Sequence, residues 1–199
     1  MLTKNELKVL KLLLSDLTRE LNIMDVAKAL DQKYVQTYQT VKLLVKSVDV
    51  VLKKVGKSKI LKPDFSQSHS NYLLAEMERT NEICKKNTLA AIVKKNILEV
   101  NKNFICILFG SQTVKPKPNS DIDLLFVIPK EYDFNEFEKI VRNKLIAVNA
   151  DIVIVPESSL HEMWANPQKL NVGNELLKKH IILYGAEHFW NLWRRHHVG

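Results

Sequence analysis

Residues 104–128 read FICILFGSQTVKPKPNSDIDLLFVI, two apolar runs joined by a polar loop. Short apolar runs bounded by turn residues are typical of buried strands, so 104–109 and 123–128 are predicted to be strands. A helix is predicted over 135–148, and a third strand over 152–155. This alternation of strands with a helix predicts an α/β fold for this part of the chain.

Three aspartates stand at the starts of the second and third predicted strands. Asp121 and Asp123 should project from one face, with Ile122 turned to the core, because alternate residues of a strand share a face. Asp151 would complete the cluster if the third strand pairs beside the second. Three close carboxylates repel unless a cation neutralises them, and their oxygen atoms suit Mg²⁺. The pattern therefore predicts a divalent metal site.

The combined pattern resembles the polymerase β-like nucleotidyltransferase superfamily. Its parts are Gly110-Ser111, a gap of nine residues, an Asp-hydrophobic-Asp strand and a later strand aspartate. The similarity is greatest to the small minimal nucleotidyltransferases of bacteria and archaea. It covers roughly 89–155, and 173–190 more loosely.

This resemblance implies a catalytic and metal-binding role for Asp121, Asp123 and Asp151, which would hold Mg²⁺ or Mn²⁺. The implied reaction transfers a nucleoside monophosphate from an NTP, ATP being the first candidate, to an acceptor hydroxyl. The acceptor is either a nucleic-acid end or a protein, such as a toxin partner.

The Gly-Ser turn and the loop after it are the predicted nucleotide-binding elements. Gly110 lets the backbone approach a triphosphate, and Ser111 offers a hydroxyl and an N–H to its phosphates. Lys115 and Lys117 would offset phosphate charge. The loop departs from many minimal family members, since it carries two prolines and no glycine.

The first 65 residues have a different pattern. Helical apolar spacing predicts helices over 2–17, 23–30 and 33–46, followed by a hairpin of 48–55 and 59–62 around a glycine turn. This order resembles winged helix-turn-helix regulators, with 33–46 as the recognition helix.

Charge is concentrated in the same segment. Residues 1–65 hold 13 Lys and Arg against 7 Asp and Glu, whereas the whole chain has a formal net charge of +8. A basic surface of this kind is expected to neutralise DNA phosphates. The alternatives are that the lysines only solubilise the domain, or that the winged helix binds protein. The candidate DNA contacts are Lys33, Gln36, Thr37, Gln39 and Thr40 on the helix, and Lys53, Lys54, Lys57 and Lys59 on the hairpin.

The sequence thus predicts an α/β (α+β) protein with an N-terminal winged helix domain and a small polymerase β-like nucleotidyltransferase domain containing a mixed sheet. The predicted divisions are 1–65 for the winged helix, 66–88 for a linker and connecting helix, and 89–199 for the transferase domain. A homodimer is a further expectation, because many winged-helix proteins dimerise.

Composition places the chain in the cytoplasm. Its two cysteines, Cys84 and Cys106, lie far apart, so no disulfide framework is indicated. No export signal or membrane span is expected. The three tryptophans, Trp164, Trp190 and Trp193, are predicted to be core or interface anchors.

The sequence is compatible with three functions. The leading one is a nucleotidyltransferase with a DNA-binding winged helix. The second is a DNA-binding transcriptional regulator whose transferase-like domain only binds or senses nucleotide. The third is an interaction scaffold with an inactive site.

Overall fold

The N-terminal helices begin at side-chain caps that the sequence supplies. Helix α1 (Lys4–Ser15) starts at a capping box, in which Thr3 accepts from the backbone N–H of Glu6 and the Glu6 carboxylate accepts from that of Thr3. Asn22 and Asp25 form the same box at the start of α2 (Ile23–Ala29). Helix α3 (Tyr34–Lys46) follows after a short turn. The predicted helices of this segment are thus present.

The same N-terminal segment contains a three-stranded antiparallel sheet. Strand β1 (Leu21–Asn22) pairs with β3 (Ser58–Pro63), which pairs with β2 (Val50–Val55). The hairpin of β2 and β3 closes at Val55 and Ser58, as predicted. Gly56 takes a φ of +58° in its turn, a conformation that glycine adopts without a Cβ penalty.

This computed structural model describes residues 2–66, 70–113 and 120–198. Within those ranges the chain is a mixed α/β protein with nine α-helices and two sheets, the second of which is mixed. The predicted mixed α/β class and the predicted mixed sheet are therefore confirmed.

The second sheet contains the motif residues. Its order is β6-β5-β4-β7, in which β5 and β6 are parallel and β4 is antiparallel to both of its neighbours. Its strands are β4 (Ile105–Phe109), β5 (Ile122–Ile128), β6 (Ala150–Pro156) and β7 (Ile181–Tyr184). The remaining helices are α4 (Ser70–Lys86), α5 (Thr88–Ile97), α6 (Phe134–Lys144), α7 (Glu157–Trp164), α8 (Val172–Lys178) and α9 (Ala186–Val198).

Apolar clusters cover both faces of the second sheet. Alternate residues of β4 face opposite sides, so Ile107 belongs to one cluster and Leu108 to the other. The cluster around Leu108 includes helices α5 and α6. The cluster around Ile107 joins α1 and α4 to α9, and it contains the buried Trp190 and Trp193.

The first 65 residues therefore share a core with the C-terminal sheet. Phe65 stacks on Trp190 with ring centroids 5.6 Å apart, and Leu17 donates its backbone N–H to the Leu177 carbonyl at 2.7 Å. Helix α4 lies in the predicted linker region and packs against α1, with Tyr72 buried. The predicted boundaries at 65 and 88 thus mark changes of secondary structure within a continuous core.

Candidate active site

The three aspartates lie together at one edge of the second sheet. Strand β5 begins beside the end of β4, and Asp123 is in register with Phe109. On its other side β5 pairs with the parallel strand β6, in register between Asp123 and Asp151. Asp121 comes two residues before Asp123 and Ile122 is fully buried between them, as predicted.

The carboxylate of Asp123 is half-buried, while those of Asp121 and Asp151 are exposed. The pKa of Asp123 is raised above its usual value, mainly because burial removes water from the charged form. The negative charges of Asp151 and Asp121 raise this pKa further. Asp151 and Asp121 are therefore each close enough to Asp123 to disfavour its negative charge.

Gly110 follows β4 and lies against this acid cluster. Its φ is +70°, a left-handed conformation that favours glycine. A Cβ at this position would lie 2.0 Å from Oδ2 of Asp123 and 2.8 Å from its Cγ. Only a residue without a side chain leaves the aspartate in this place.

The turn continues as a short 3₁₀-helix from Ser111 to Thr113. Ser111 is exposed beside Gly110, so its hydroxyl is available to a ligand. Thr113 donates its hydroxyl to the Gly110 carbonyl at 2.7 Å, which tightens the turn. The predicted phosphate contacts Lys115 and Lys117 lie outside the described residues.

Gln112 links the two ends of the loop between the Gly-Ser turn and Asp121. It was assigned no role from the sequence. Its side chain is fully buried. It accepts from Asn87 Nδ2 at 3.0 Å, and its own amide donates to Ser120 O at 3.1 Å and to Ser120 Oγ at 2.6 Å. Ser120 directly precedes Asp121. The glutamine therefore connects the Gly-Ser turn to the start of the acid cluster.

Asn149 is a second residue that sequence reasoning missed. Its side-chain amide donates to Oδ1 of Asp121, and its carbonyl accepts from Ile122 N at 3.0 Å. It precedes β6, as Asp121 precedes β5. It lies two residues before Asp151, but asparagine is common in loops and its residue type gave no specific signal.

The acid cluster fits a divalent cation by donor chemistry. Its oxygen atoms are of the type that Mg²⁺ prefers, and the mutual repulsion at Asp123 is of the kind that a cation relieves. In the parts of the chain that the structure describes, no group of three or more His, Cys, Asp or Glu side chains is arranged to hold a metal as it stands. Asp121, Asp123 and Asp151 are among these described residues and do not meet that condition.

The candidate DNA-binding face of α3 is smaller than predicted. Lys33, Gln36 and Gln39 are exposed, but Thr37 is 0% and Thr40 6% exposed. The two threonine hydroxyls donate to backbone carbonyls one turn earlier, at 3.3 and 3.0 Å. The predicted contact role of these two threonines is wrong, because they face the core.

The four hairpin lysines, Lys53, Lys54, Lys57 and Lys59, are all exposed. The structure also exposes Tyr34 and Tyr38 on α3, at 45% and 46%, with their rings stacked at 6.2 Å. Both tyrosines recur at helical spacing with the buried Val41 and Leu44, yet they are not buried with them. They are instead the largest flat side chains on its outer surface.

Comparisons with protein-family models, curated proteins and solved structures find no match to this chain. Among the described residues, none of the helices combines the length and apolarity needed to span a bilayer.

Proposed function

We propose that this chain is a metal-dependent nucleotidyltransferase that moves a nucleoside monophosphate from an NTP, with ATP as the first candidate, to an acceptor hydroxyl. The observation that carries the proposal is the in-register pair of Asp123 and Asp151 beside Gly110. Neighbouring carboxylates gain from a shared cation, and a glycine turn next to them lets a phosphate approach the backbone.

Asp121, Asp123 and Asp151 are the residues that would hold Mg²⁺ or Mn²⁺. When bound, such a cation neutralises the charge that develops on the α-phosphate and on the departing pyrophosphate.

The other steps are assigned to the chain itself. The exposed hydroxyl and the N–H of Ser111 donate to the β- or γ-phosphate. The acceptor oxygen attacks the α-phosphorus, the bond from that phosphorus to the β-phosphate oxygen breaks, and pyrophosphate leaves. The carboxylate of Asp151, which is exposed, accepts the proton of the acceptor hydroxyl.

The proposal extends to the architecture. Three helices followed by a hairpin support a winged helix in the first 65 residues, and the mixed sheet with its acid edge supports a polymerase β-like transferase unit. The exposed hairpin lysines and the outer face of α3 support DNA binding by the first of these.

The direct test is label transfer from α-labelled ATP, with Mg²⁺ or Mn²⁺, into cell lysate and into added DNA or RNA. The variant Asp123→Asn/Asp151→Asn removes two charges with little change of shape. Glu131→Gln, at an exposed acid, is the matched control. A parallel reaction with γ-labelled ATP detects contaminating kinases, because the γ label leaves with pyrophosphate.

The expected result is label on a macromolecule with wild type and Glu131→Gln, at least about 100-fold less with the double variant, and none from γ-labelled ATP. Absence of transfer with all four NTPs, in protein that is folded and binds nucleotide, overturns the proposal.

A second candidate is a DNA-binding regulator that only senses nucleotide. The observation that favours it is the exposed stacked pair of Tyr34 and Tyr38 among the polar residues of α3. This candidate predicts enrichment of particular duplex fragments from genomic DNA without turnover of any NTP. It fails if no fragment is enriched over competitor DNA.

A further inference from the structure

A basic cleft of about 750 Å³ lies beside the candidate active site. The cleft lies between α1 and the end of α2 on one side and the end of α4 and the start of β7 on the other. Seven Lys or Arg side chains line it, against only Asp16 and Glu82. The residues that define it here are Lys8, Arg19, Lys86, Thr113 and Lys179.

Four of the seven cleft cations form no ion pair within the described part of the chain. Lys11 pairs with Glu82, Arg79 with Glu76 and Lys178 with Glu175. The other four, Lys8, Arg19, Lys86 and Lys179, are exposed and form no ion pair with any residue in the described ranges. They come from four separate segments of the chain. The cleft thus presents spaced positive charges to whatever enters it.

The cleft and the acid cluster share one edge of the second sheet. Strand β7 begins at Ile181, which pairs with Leu108 near the end of β4. Lys179, two residues before β7, therefore lies on one side of the end of β4. Asp123, on β5, lies on the other side. Thr113 lines the cleft and is hydrogen-bonded to Gly110. Thr113 is thus the residue at which the cleft adjoins the Gly-Ser turn.

The chemistry of the lining favours a nucleic acid over a protein. Lysine is depleted at the centres of protein interfaces, which depend on aromatic and Arg anchors in apolar pockets. Among the described lining residues there is no Phe, Tyr or Trp. Spaced lysines follow a phosphate backbone without reading its bases. The volume of about 750 Å³ is in the range of small-ligand sites, so the cleft suits the end of a single strand rather than a duplex.

We propose that the basic cleft holds the single-stranded end of a nucleic acid. The terminal hydroxyl of this strand reaches the acid cluster of Asp121, Asp123 and Asp151 and is the acceptor. This rests on the function proposed above. The new phosphodiester bond joins that hydroxyl oxygen to the α-phosphorus, and pyrophosphate leaves with the bond that breaks.

Binding is tested without NTP or metal, so that it does not depend on turnover. The probes are 5′-fluorescein-labelled mixed-sequence RNA and DNA of about 12 nucleotides, followed by fluorescence anisotropy. The cleft variant is Lys8→Glu/Lys179→Glu, with Lys8→Gln/Lys179→Gln as a milder form. The control is Lys130→Glu/Lys139→Glu, an equal charge change at two exposed lysines that lie outside the cleft and outside the hairpin. Circular dichroism verifies that each variant is folded.

The cleft variant is expected to bind at least one of the two oligonucleotides about tenfold more weakly than wild type, with a smaller salt dependence, while the control stays within about twofold. Equal binding by the cleft variant and wild type overturns the proposal. So does equal loss in the control variant. Displacement of the oligonucleotide by poly-glutamate at matched charge concentration overturns it in favour of a protein ligand.

The same samples separate this inference from the proposed function. Oligonucleotide binding that depends on the cleft, combined with no transfer from any NTP, overturns the proposed function and with it the acceptor role. Transfer to lysate protein that is unchanged in the cleft variant overturns the cleft assignment and leaves the transferase intact.

Discussion

The backbone of Gly110 lies directly under the side chain of Asp123, so closely that a Cβ on the glycine would be 2.0 Å from Oδ2 of the aspartate. Asp123 pairs with Phe109, the last residue of the neighbouring antiparallel strand β4, and Gly110 is the next residue of the chain. The glycine therefore fixes where the acid points.

Replacement of Gly110 by alanine should remove transfer activity. The new methyl group displaces Asp123, and misplacement by about 1 Å costs on the order of 100-fold in rate. Gly56→Ala is the matched control, because Gly56 also has a positive φ of +58° but nothing within 4 Å of its Cβ position. Both variants should lose about 1–2 kcal/mol of unfolding free energy, measured by urea denaturation. Only Gly110→Ala should lose label transfer, and equal activity in the two variants would contradict the steric account.

Gln112→Glu should loosen the loop at one end. The substitution keeps an oxygen that accepts from Asn87. It replaces the amide that donates to Ser120 with an anionic oxygen. The KM for NTP is expected to rise about tenfold with kcat within about threefold, since binding geometry rather than the reacting groups is altered. Gln39→Glu, the same change on the exposed face of α3, should leave KM unchanged. A fall in kcat at constant KM would refute a positioning role.

Arg79→Met should be among the most destabilising substitutions in the chain. Arg79 is buried, pairs with Glu76 at 2.6 Å and donates to the carbonyls of Leu14 and His180. Removal of one partner of a buried ion pair costs about 3–5 kcal/mol. Burial already raises the pKa of Glu76 despite the arginine, so the acid is left without compensation.

The double variant Glu76→Leu/Arg79→Met is the control for the Arg79 prediction. It leaves no buried charge, so it should recover a large part of the lost unfolding free energy. If it is no more stable than Arg79→Met in chemical denaturation, the loss comes from the two carbonyl bonds instead.

His180 should make the protein less stable in acid. It is fully buried, and desolvation lowers its pKa from 6.5 to about 3, with the charge of Arg79 contributing in the same direction. The unfolded chain therefore binds a proton between these pH values that the folded chain does not, so unfolding free energy falls as pH falls from about 6.5 towards 3. Thermal unfolding across this range measures the slope.

His180→Asn should reduce that slope, because asparagine does not titrate and its amide can still donate to the Leu176 carbonyl, which lies 2.7 Å from His180 Nδ1. His161→Asn, at a half-buried histidine, serves as the comparison. An unchanged slope in His180→Asn would assign the acid sensitivity to other groups.

Much of the sheet could be predicted from sequence, because its information is local. Continuous apolar runs at β4 and β5 and the alternation at Asp121 and Asp123 correctly gave the strands and the direction of the acids. The pairing of β5 with β6, stated as a condition, is present as a parallel pair. Strand β1 has only two residues, too short for any periodic pattern.

Helical spacing gave the position of α3 but not its inner face. Tyr34 and Tyr38 fit an apolar stripe as well as Val41 and Leu44 do, yet only the latter two are buried. The small Thr37 and Thr40 occupy the inner positions because their hydroxyls bond to the preceding turn. Hydrophobicity ranks did not distinguish these alternatives.

The contacts that organise the site were beyond prediction because they join distant positions. Gln112 reaches Asn87 across 25 residues, and Asn149 reaches Asp121 across 28. Glutamine and asparagine occur in many loops, so neither residue type signals a partner. Only the folded arrangement of the strands brings these amides together.

The contact between Phe65 and Trp190 in a shared core has a consequence for how this chain can evolve. Removal of residues 1–65 would leave part of the aromatic surface of α9 uncovered, and a foreign segment in their place would have to cover that surface equally well. The two halves are therefore constrained to diverge together, since a change in one selects for compensation in the other. Grafting or truncation at this boundary should yield insoluble protein.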